Sequence, residues 1–285
     1  MRFEEFRKPS WAVMNMRAVF GRAYPRIIGV NRELSWVFFE TVLPLLGVAG
    51  YVFIYKALEA PPQYIGYVII GGAMTAYWMN VLWSMAAQMY WEKEMGNLEL
   101  YLIAPISRMS VLGGMALGGM FSSSVRAVST IVVGMVVFGI SLSLPDPLMF
   151  SGIFIFTMIA LYGMGMMFAS LYMLWGREAW HMSSLFTEPI YLVSGFYFPV
   201  KGFASMLGNP GTWIAAGASI IPITLGLDGM RQCLYPGTMD GFLPLWVELV
   251  ILVFLSFLFM ALAKYSLAYM ENLGKREGRL TMRWQ

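Results

Sequence analysis

Residues 91–114 read WEKEMGNLELYLIAPISRMSVLGG, and the reading of this stretch decides the rest of the chain. It is the most polar interval between long apolar runs, with Glu92, Lys93, Glu94, Glu99 and Arg108 inside it. Within it, Leu98 to Ile103 is mostly apolar, and Pro105 stops any helix that begins near Asn97. The pattern predicts a short amphipathic helix lying against a surface, set between one apolar span and the next. A plain solvated loop is the competing reading.

Composition sets the frame around it. With 59% hydrophobic, 16% aromatic and only 12% charged residues in 285, the chain is not a soluble domain. One cysteine, Cys233, excludes an intramolecular disulfide, and with the single His181 it cannot build a His/Cys zinc site. There is no HExxH, no GxxxxGK[ST] phosphate loop and no GxGxxG after a strand pattern. If this protein works with ATP, another chain binds it.

Outward from the polar stretch, residues 1–33 carry Arg2, Arg7, Lys8, Arg17, Arg22, Arg26 and Arg32 with aromatic and apolar residues interleaved. No uninterrupted apolar core follows them, so the segment predicts an N-terminal interfacial amphipathic helix rather than a signal peptide. Apolar runs at 36–55, 64–89, 111–140, 148–175, 179–200 and 242–263 are each long enough to cross a bilayer core of about 30 Å. The third contains Gly114-Met-Ala-Leu-Gly118, a spacing that permits close helix approach but is common in a chain with 29 glycines. Residues 201–241 are different: Trp213–Leu227 is apolar but short and interrupted by Pro222, which predicts a re-entrant helical hairpin instead of a span. Residues 264–285 read as a polar tail. The fold class is therefore all-α integral membrane, a single domain of six transmembrane helices.

Lysine and arginine give the orientation. With six spans, the two tails and the loops on their side (the 91–110 loop among them) hold 15 of the 19, the other side holds Lys56, Lys201 and Arg231, and Arg126 lies within a span. The bias places both termini and the 91–110 loop in the cytoplasm, with the protein in the cell membrane.

Three stretches then carry a resemblance. Glu94-Met-Gly-Asn-Leu-Glu-Leu-Tyr-Leu-Ile-Ala-Pro-Ile-Ser-Arg108 resembles the intracellular loop of the permease subunits of ABC type-2 exporters, the drug and polysaccharide exporters. Glu188-Pro-Ile-Tyr-Leu-Val-Ser-Gly-Phe-Tyr-Phe-Pro199 is similar to the end of that family's fifth span. Ile221-Pro-Ile-Thr-Leu-Gly-Leu-Asp-Gly-Met-Arg231 is similar to the end of its outer hairpin. Asn97 stands where small hydroxyl residues are common, and Ala204-Ser-Met-Leu-Gly-Asn209 replaces the usual Leu-Pro. The resemblance implies a coupling helix between spans two and three, carried by Glu94, Gly96, Leu98, Glu99, Leu102, Pro105 and Arg108, with Leu98 and Leu102 filling a cleft of the partner. It also implies two copies of an ABC ATPase subunit holding ATP and Mg, no cofactor in this chain, and a second permease chain, most simply a homodimer around a path lined by spans one, two and five. The implied function is export of an amphiphile (a hydrophobic drug, a lipid, a glycolipid or a polysaccharide), with lipid bilayer and no nucleic acid as its surroundings.

Two further groups of residues stand out. Arg126 and Glu188 are opposite charges at matched depth and are expected to pair, the alternative being that each is satisfied by carbonyls and hydroxyls such as Ser122 or Ser184. An ion-driven secondary transporter using these two is the alternative function, although no inverted repeat is visible. Tyr191, Ser194, Phe196, Tyr197 and Phe198 are candidates for a path or outer gate, and equally for an interfacial aromatic belt. An intramembrane enzyme built on Ser194, His181 and Asp228 has no supporting motif, and no metal site is predicted.

Overall fold

The computed structural model describes residues 10–175, 178–237 and 241–277, so the predictions for 1–9, 176–177, 238–240 and 278–285 lie outside the described residues. The chain is all helix in these parts: α1 (Trp11–Arg32), α2 (Leu34–Ala57), α3 (Gln63–Met79), a π-helical segment Asn80–Ala86, α4 (Gln88–Glu94), α5 (Asn97–Ile103), α6 (Arg108–Phe138), α7 (Pro147–Trp175), α8 (Glu178–Val193), α9 (Lys201–Leu207), α10 (Asn209–Ala218), α11 (Pro222–Leu234) and α12 (Leu245–Glu277). Among the described residues, four helical stretches are long and apolar enough to cross a membrane: Gln63–Glu94, Arg108–Phe138, Pro147–Tyr172 and Leu245–Glu277. A fifth unit, α10 with α11, qualifies as a pair but is bent by 104°.

Gln63–Glu94 is the centre of the bundle and is almost wholly enclosed by its own chain. Its glycines set the distances. A methyl on Gly71 would collide with the Phe196 carbonyl oxygen, and one on Gly72 with Val48 of α2. This enclosure corrects the expectation that span two lines a central path, because its buried residues run round the whole helix from Ile65 to Trp78. The π-helical turns below it widen the backbone where three helices converge. Ser183 of α8 donates to the Leu82 carbonyl (3.2 Å), Val81 and Met85 pack on Gly165 of α7, and Asn80 faces Gly119 of α6.

α1 is not laid across the bundle as a flat interfacial helix. It runs beside α6 in the same direction: Asn15 meets Ser107 and Ser110, Val19 meets Gly114, and Ala23 and Arg26 meet Gly118. The 114–118 glycine pair is the seat. A methyl at Gly114 would stand 2.5 Å from the Val19 carbonyl oxygen, and one at Gly118 would stand 3.0 Å from the Arg26 Cβ. The outer face of α1 keeps an apolar stripe, Met16, Phe20, Tyr24 and Ile28, at four-residue spacing.

Three predicted boundaries move. The fifth apolar run, expected to 200, ends at Val193, because Gly195 takes a φ of +70° and turns the chain. The last run, expected to end at 263, continues to Glu277, so most of the predicted polar tail is the last four turns of α12. The stretch 201–241 is three helices. Pro222 starts α11, as a proline at a first helical position does, and α10 ends four residues earlier. α11 is buried on nearly every side against α3, α7 and α12. The hairpin enters and leaves at the end of the molecule that carries Tyr55 and Tyr64, where Phe198, Lys201 and Phe203 share a cavity with them and Tyr235 abuts Gly66.

Candidate functional site

The α4–α5 unit is fixed by residues from the whole length of the chain. Gly96, at φ +79°, turns α4 into α5 through the left-handed region, which a side chain would strain. Ala104 is extended and Pro105 prevents continuation, so α5 is two turns long. Between these stops, the organising group is Glu92, which is 3% exposed. It takes an ion pair from Arg22 of α1 and hydrogen bonds donated by Gln88 Nε2 (2.8 Å), Asn97 Nδ2 (2.9 Å) and the Tyr101 hydroxyl (3.4 Å). A buried carboxylate costs several kcal/mol, on the order of the ion pair it makes, unless its oxygens are satisfied; here α1, α4 and α5 all contribute. Burial pushes the Tyr101 phenol above its ordinary value, against the pull of Arg22 and with the help of Glu92, so the hydroxyl keeps the proton it donates.

Two more ties hold the following loop. The Asn15 side-chain oxygen accepts from the Ser107 amide (2.6 Å) and the Ser110 hydroxyl (3.0 Å), while its own amide donates to the Trp11 carbonyl (2.9 Å). Arg108 pairs with Glu271 of α12 at 2.9 Å, and Lys275 pairs with the same carboxylate at 2.5 Å. α5 is thus tied to α1 through Glu92, and the start of α6 just beyond it is tied to α12. Among the described residues, Glu99, Leu100 and Ile103 of α5 and the flanking Met95 and Pro105 are exposed, Ile103 at 80%.

The predicted coupling residues divide accordingly. Glu99 and Pro105 face outward, while Glu94 and Gly96 are half-buried. Leu98 is a correction: at 3% exposed it points inward beside Met89, Val111 and Leu267, so in this conformation it cannot fill a partner's cleft. Its place outside is taken by Leu100 and Ile103, one turn apart. Arg108 is an internal clamp. Leu102 lies on α5, with its side chain outside the described set. Glu92, Arg22, Asn97, Tyr101, Asn15 and Glu271 were not foreseen as site residues. Adjacent acids such as Glu92 and Glu94 differ only in helix phase, and an α1 partner 70 residues away has no local signal.

Arg126 and Glu188 are not brought together. Arg126 lines a cavity with Arg26, Asn80 and Ser122, on the side of α6 that faces α1 and the π-helical segment. Glu188 is exposed on α8, which packs on the π-helical segment and α10 rather than along α6. The expected pairing and the ion-driven latch built on it are therefore set aside. Equal depth does not make neighbours of two residues whose helices pack on different elements.

At the other end of the molecule, Ser194 and Phe196 are fully buried, which removes both from any path in this conformation. Phe196 packs edge-on to Tyr191, Tyr197 stacks on Tyr51 at 4.1 Å, and Tyr55 donates to the Tyr197 carbonyl at 3.0 Å. Phe198 alone of the predicted outer set lines an open cavity of about 640 Å³, with Tyr55, Tyr64 and Phe203. The loop is held by Arg231, which is 3% exposed and donates to the carbonyls of Gly195 (2.7 Å), Phe196 (2.8 Å), Phe198 (3.4 Å) and Tyr67 (3.0 Å). Asp228 accepts from the Phe242 amide at 2.6 Å and ties the hairpin to the start of α12. Among the described residues no group of three or more His, Cys, Asp or Glu side chains is gathered for a metal.

Neither the characterised proteins nor the solved structures contain a match to this chain. Comparison with known families does return one: residues 15–235, from the Asn15 clamp to the Tyr235 end of the hairpin, match the ABC-2 type transporter family. The helical span pattern, the clamped α4–α5 unit and the bent hairpin all fall inside that match, and the chain belongs to the ABC-2 type transporters as their multi-pass membrane permease domain.

Proposed function

We propose that this chain is the permease subunit of an ATP-driven exporter, in which α5 is the contact through which a separate ATPase moves the spans. The observation that supports this is the pairing of a free apolar edge with a fixed base. Leu100 and Ile103 are exposed beside Glu99, while the same two-turn helix is tied to α1 through Glu92, and α6, which follows it, is tied to α12 by Arg108. A push on that edge is passed to two long helices instead of being absorbed by a slack loop. The full reading includes six crossings, with α2, α8 and the four long stretches as spans, and α10–α11 re-entrant from the outer side. Both termini and α5 lie in the cytoplasm, and two permease chains pair above two ATPase chains that hold ATP and Mg. The cargo is an amphiphile taken from the cytoplasm or inner leaflet, and the aromatic cavity bordered by Phe198 suits a sugar face or an apolar drug.

The test uses the permease co-expressed with an ABC ATPase subunit that co-purifies with the wild type. Leu100→Asp places a charge in the contact and is expected to leave the permease folded, with its melting temperature unchanged, because the side chain is 60% exposed. It should lower co-purification of the ATPase at least tenfold, matching the ~1–3 kcal/mol cost of burying an unpaired polar group. Normal co-purification together with normal transport-linked hydrolysis would refute the assignment of α5.

A further inference from the structure

Glu248 lies in the first turn of α12, is 0% exposed, and has no hydrogen-bond partner for either carboxyl oxygen among the described residues. The coupling role proposed for α5, at the other end of the molecule, makes no use of it. The charge that acts most strongly on it is another acid, Asp228 of α11, itself 5% exposed. Two like charges confined in a dry space repel, and a proton on one of them removes the repulsion and supplies a hydrogen bond.

The meeting of the two acids is built into the packing of α11. Gly229 is bare where Glu248 comes in: a methyl there would stand 2.9 Å from the Glu248 Oε2 and 2.9 Å from the Ile153 Cδ1 of α7. Ile153 is fully buried, so that wall is apolar and closed to water. Gly241 is bare beside Asp228, where a methyl would collide with the Gln232 Nε2 and stand 2.7 Å from the Asp228 Oδ2. The nearby donors are already committed. The Phe242 amide donates to the Asp228 Oδ2 at 2.6 Å. Gln232 Nε2 spends one hydrogen on the Leu243 carbonyl (3.0 Å) and the other on the same Asp228 oxygen (3.5 Å). Arg231 gives its terminal nitrogens to the carbonyls of Tyr67, Gly195, Phe196 and Phe198.

The other titratable groups within electrostatic reach bring no positive charge: Cys233 of α11, and Asp146 just ahead of α7. Against them acts the Leu243 main chain, just ahead of α12, which favours a charged Glu248. A carboxylate in a dry site, without a donor and beside a second carboxylate, takes up a proton. Asp228, which accepts two N–H bonds, is the member of the pair that stays ionised. We propose that Glu248 holds a proton and donates it as a hydrogen bond to Asp228, which makes the α11–α12 junction a proton-binding site. The proton leaves to water through the half-buried turn 241–243, and two carboxylates then face each other where one hydrogen bond stood. Their repulsion loosens α11 from α12, so the hairpin is seated on the last helix by a single exchangeable proton.

The experiment uses the full-length protein in detergent, where both ends meet the same buffer. Infrared spectra at neutral pH should show a protonated-carboxyl C=O band in the wild type that is missing from Glu248→Gln. Thermal melts from about pH 5 to about pH 9, a range in which a free glutamate is mostly or wholly ionised, form the second arm. The folded chain holds a proton that the unfolded chain gives up, so wild-type stability falls as pH rises. Relative to Glu248→Gln the fall is up to about tenfold in the folding constant, or about 3 °C in melting temperature, per pH unit. Glu248→Gln has the same shape and is neutral at every pH, so it should fold and melt at or above the wild-type temperature at neutral pH. A Glu248→Gln protein that does not fold, or that melts well below the wild type, shows that the charged form was needed and overturns the proposal. A wild-type spectrum without the band, or a pH slope shared by both proteins, overturns it as well. Calcium at millimolar concentration separates the proton from a metal cation. Unchanged melting supports the proton, and stabilisation of the wild type but not of Glu248→Gln overturns it in favour of a metal.

Discussion

The two ends of this molecule are both held by buried charge, but by opposite chemistry. At the α5 end a carboxylate, Glu92, is surrounded by side chains: Arg22, Gln88, Asn97 and Tyr101. At the hairpin end a cation, Arg231, is surrounded by main chain, the carbonyls of Tyr67, Gly195, Phe196 and Phe198. Side-chain partners can rotate away and be replaced, and Arg22 is itself a quarter exposed. Carbonyls in a turn fixed by Gly195 cannot move without unfolding the turn. The difference is one of partner: the hairpin end is held through main-chain acceptors, and the α5 end through side chains that differ from residue to residue.

The most severe way to break this contrast is Arg231→Met. It removes the donors of four carbonyls in an enclosed site, and leaving buried acceptors unsatisfied costs ~1–3 kcal/mol each when water cannot reach them. The variant is expected to lose its monodisperse peak in size-exclusion chromatography, and a well-folded Arg231→Met of unchanged melting temperature would erase the difference between the ends. Next in size is Gly71→Ala, which drives a methyl into the Phe196 carbonyl and should cost about 1–3 kcal/mol by overpacking. The melting midpoint should fall accordingly.

A double-mutant cycle on Arg22→Met and Glu92→Gln sharpens the other side. The pair should show a coupling energy of about 1–2 kcal/mol, the range of residues in one network, because Glu92 retains three hydrogen-bond donors when Arg22 is lost. Additive effects would mean that the two residues do not act together. The smallest effect is expected for Arg108→Gln, since Arg108 is a third exposed and its pair with Glu271 is screened: under ~1 kcal/mol, and smaller still in high salt. Thermal melting at two ionic strengths measures it.

Hydropathy made the four long apolar stretches legible because long apolar runs have few other destinations, and Pro222 and Pro105 marked real helix limits for the plain reason that proline donates no hydrogen bond. The 91–114 stretch also gave up its helix and its exposed acid, Glu99. What stayed hidden depended on rotation and on the main chain. Glu92 and Glu94 look alike until α1 is in place beside one of them. Arg231 counts as an outer-side charge in the sequence, and its burial has no signal there because its partners are carbonyls, which every residue has. The extension of α12 was missed for a different reason. Lys264, Lys275 and Arg276 suggested a tail, yet Leu267, Met270, Glu271 and Gly274 keep a helical spacing of three and four, and they face the bundle.

The π-helical segment Asn80–Ala86 has a consequence for the way the second long helix is aimed. Along an α-helix each residue advances the azimuth by about 100°. A turn closed by i→i+5 bonds takes in an extra residue, so the stretches on either side are out of phase with one continuous α-helix. Above it, Gly71 and Gly72 are set toward the Phe196 backbone and Val48; below it, Glu92 is set toward Arg22. Rewinding the same residues as regular α-helix would swing the lower half by about 100° and carry Glu92 away from α1 while the upper half kept its seat. The segment is an angular spacer: it lets the chain choose the compass bearing of α5 separately from the packing of the span that carries it.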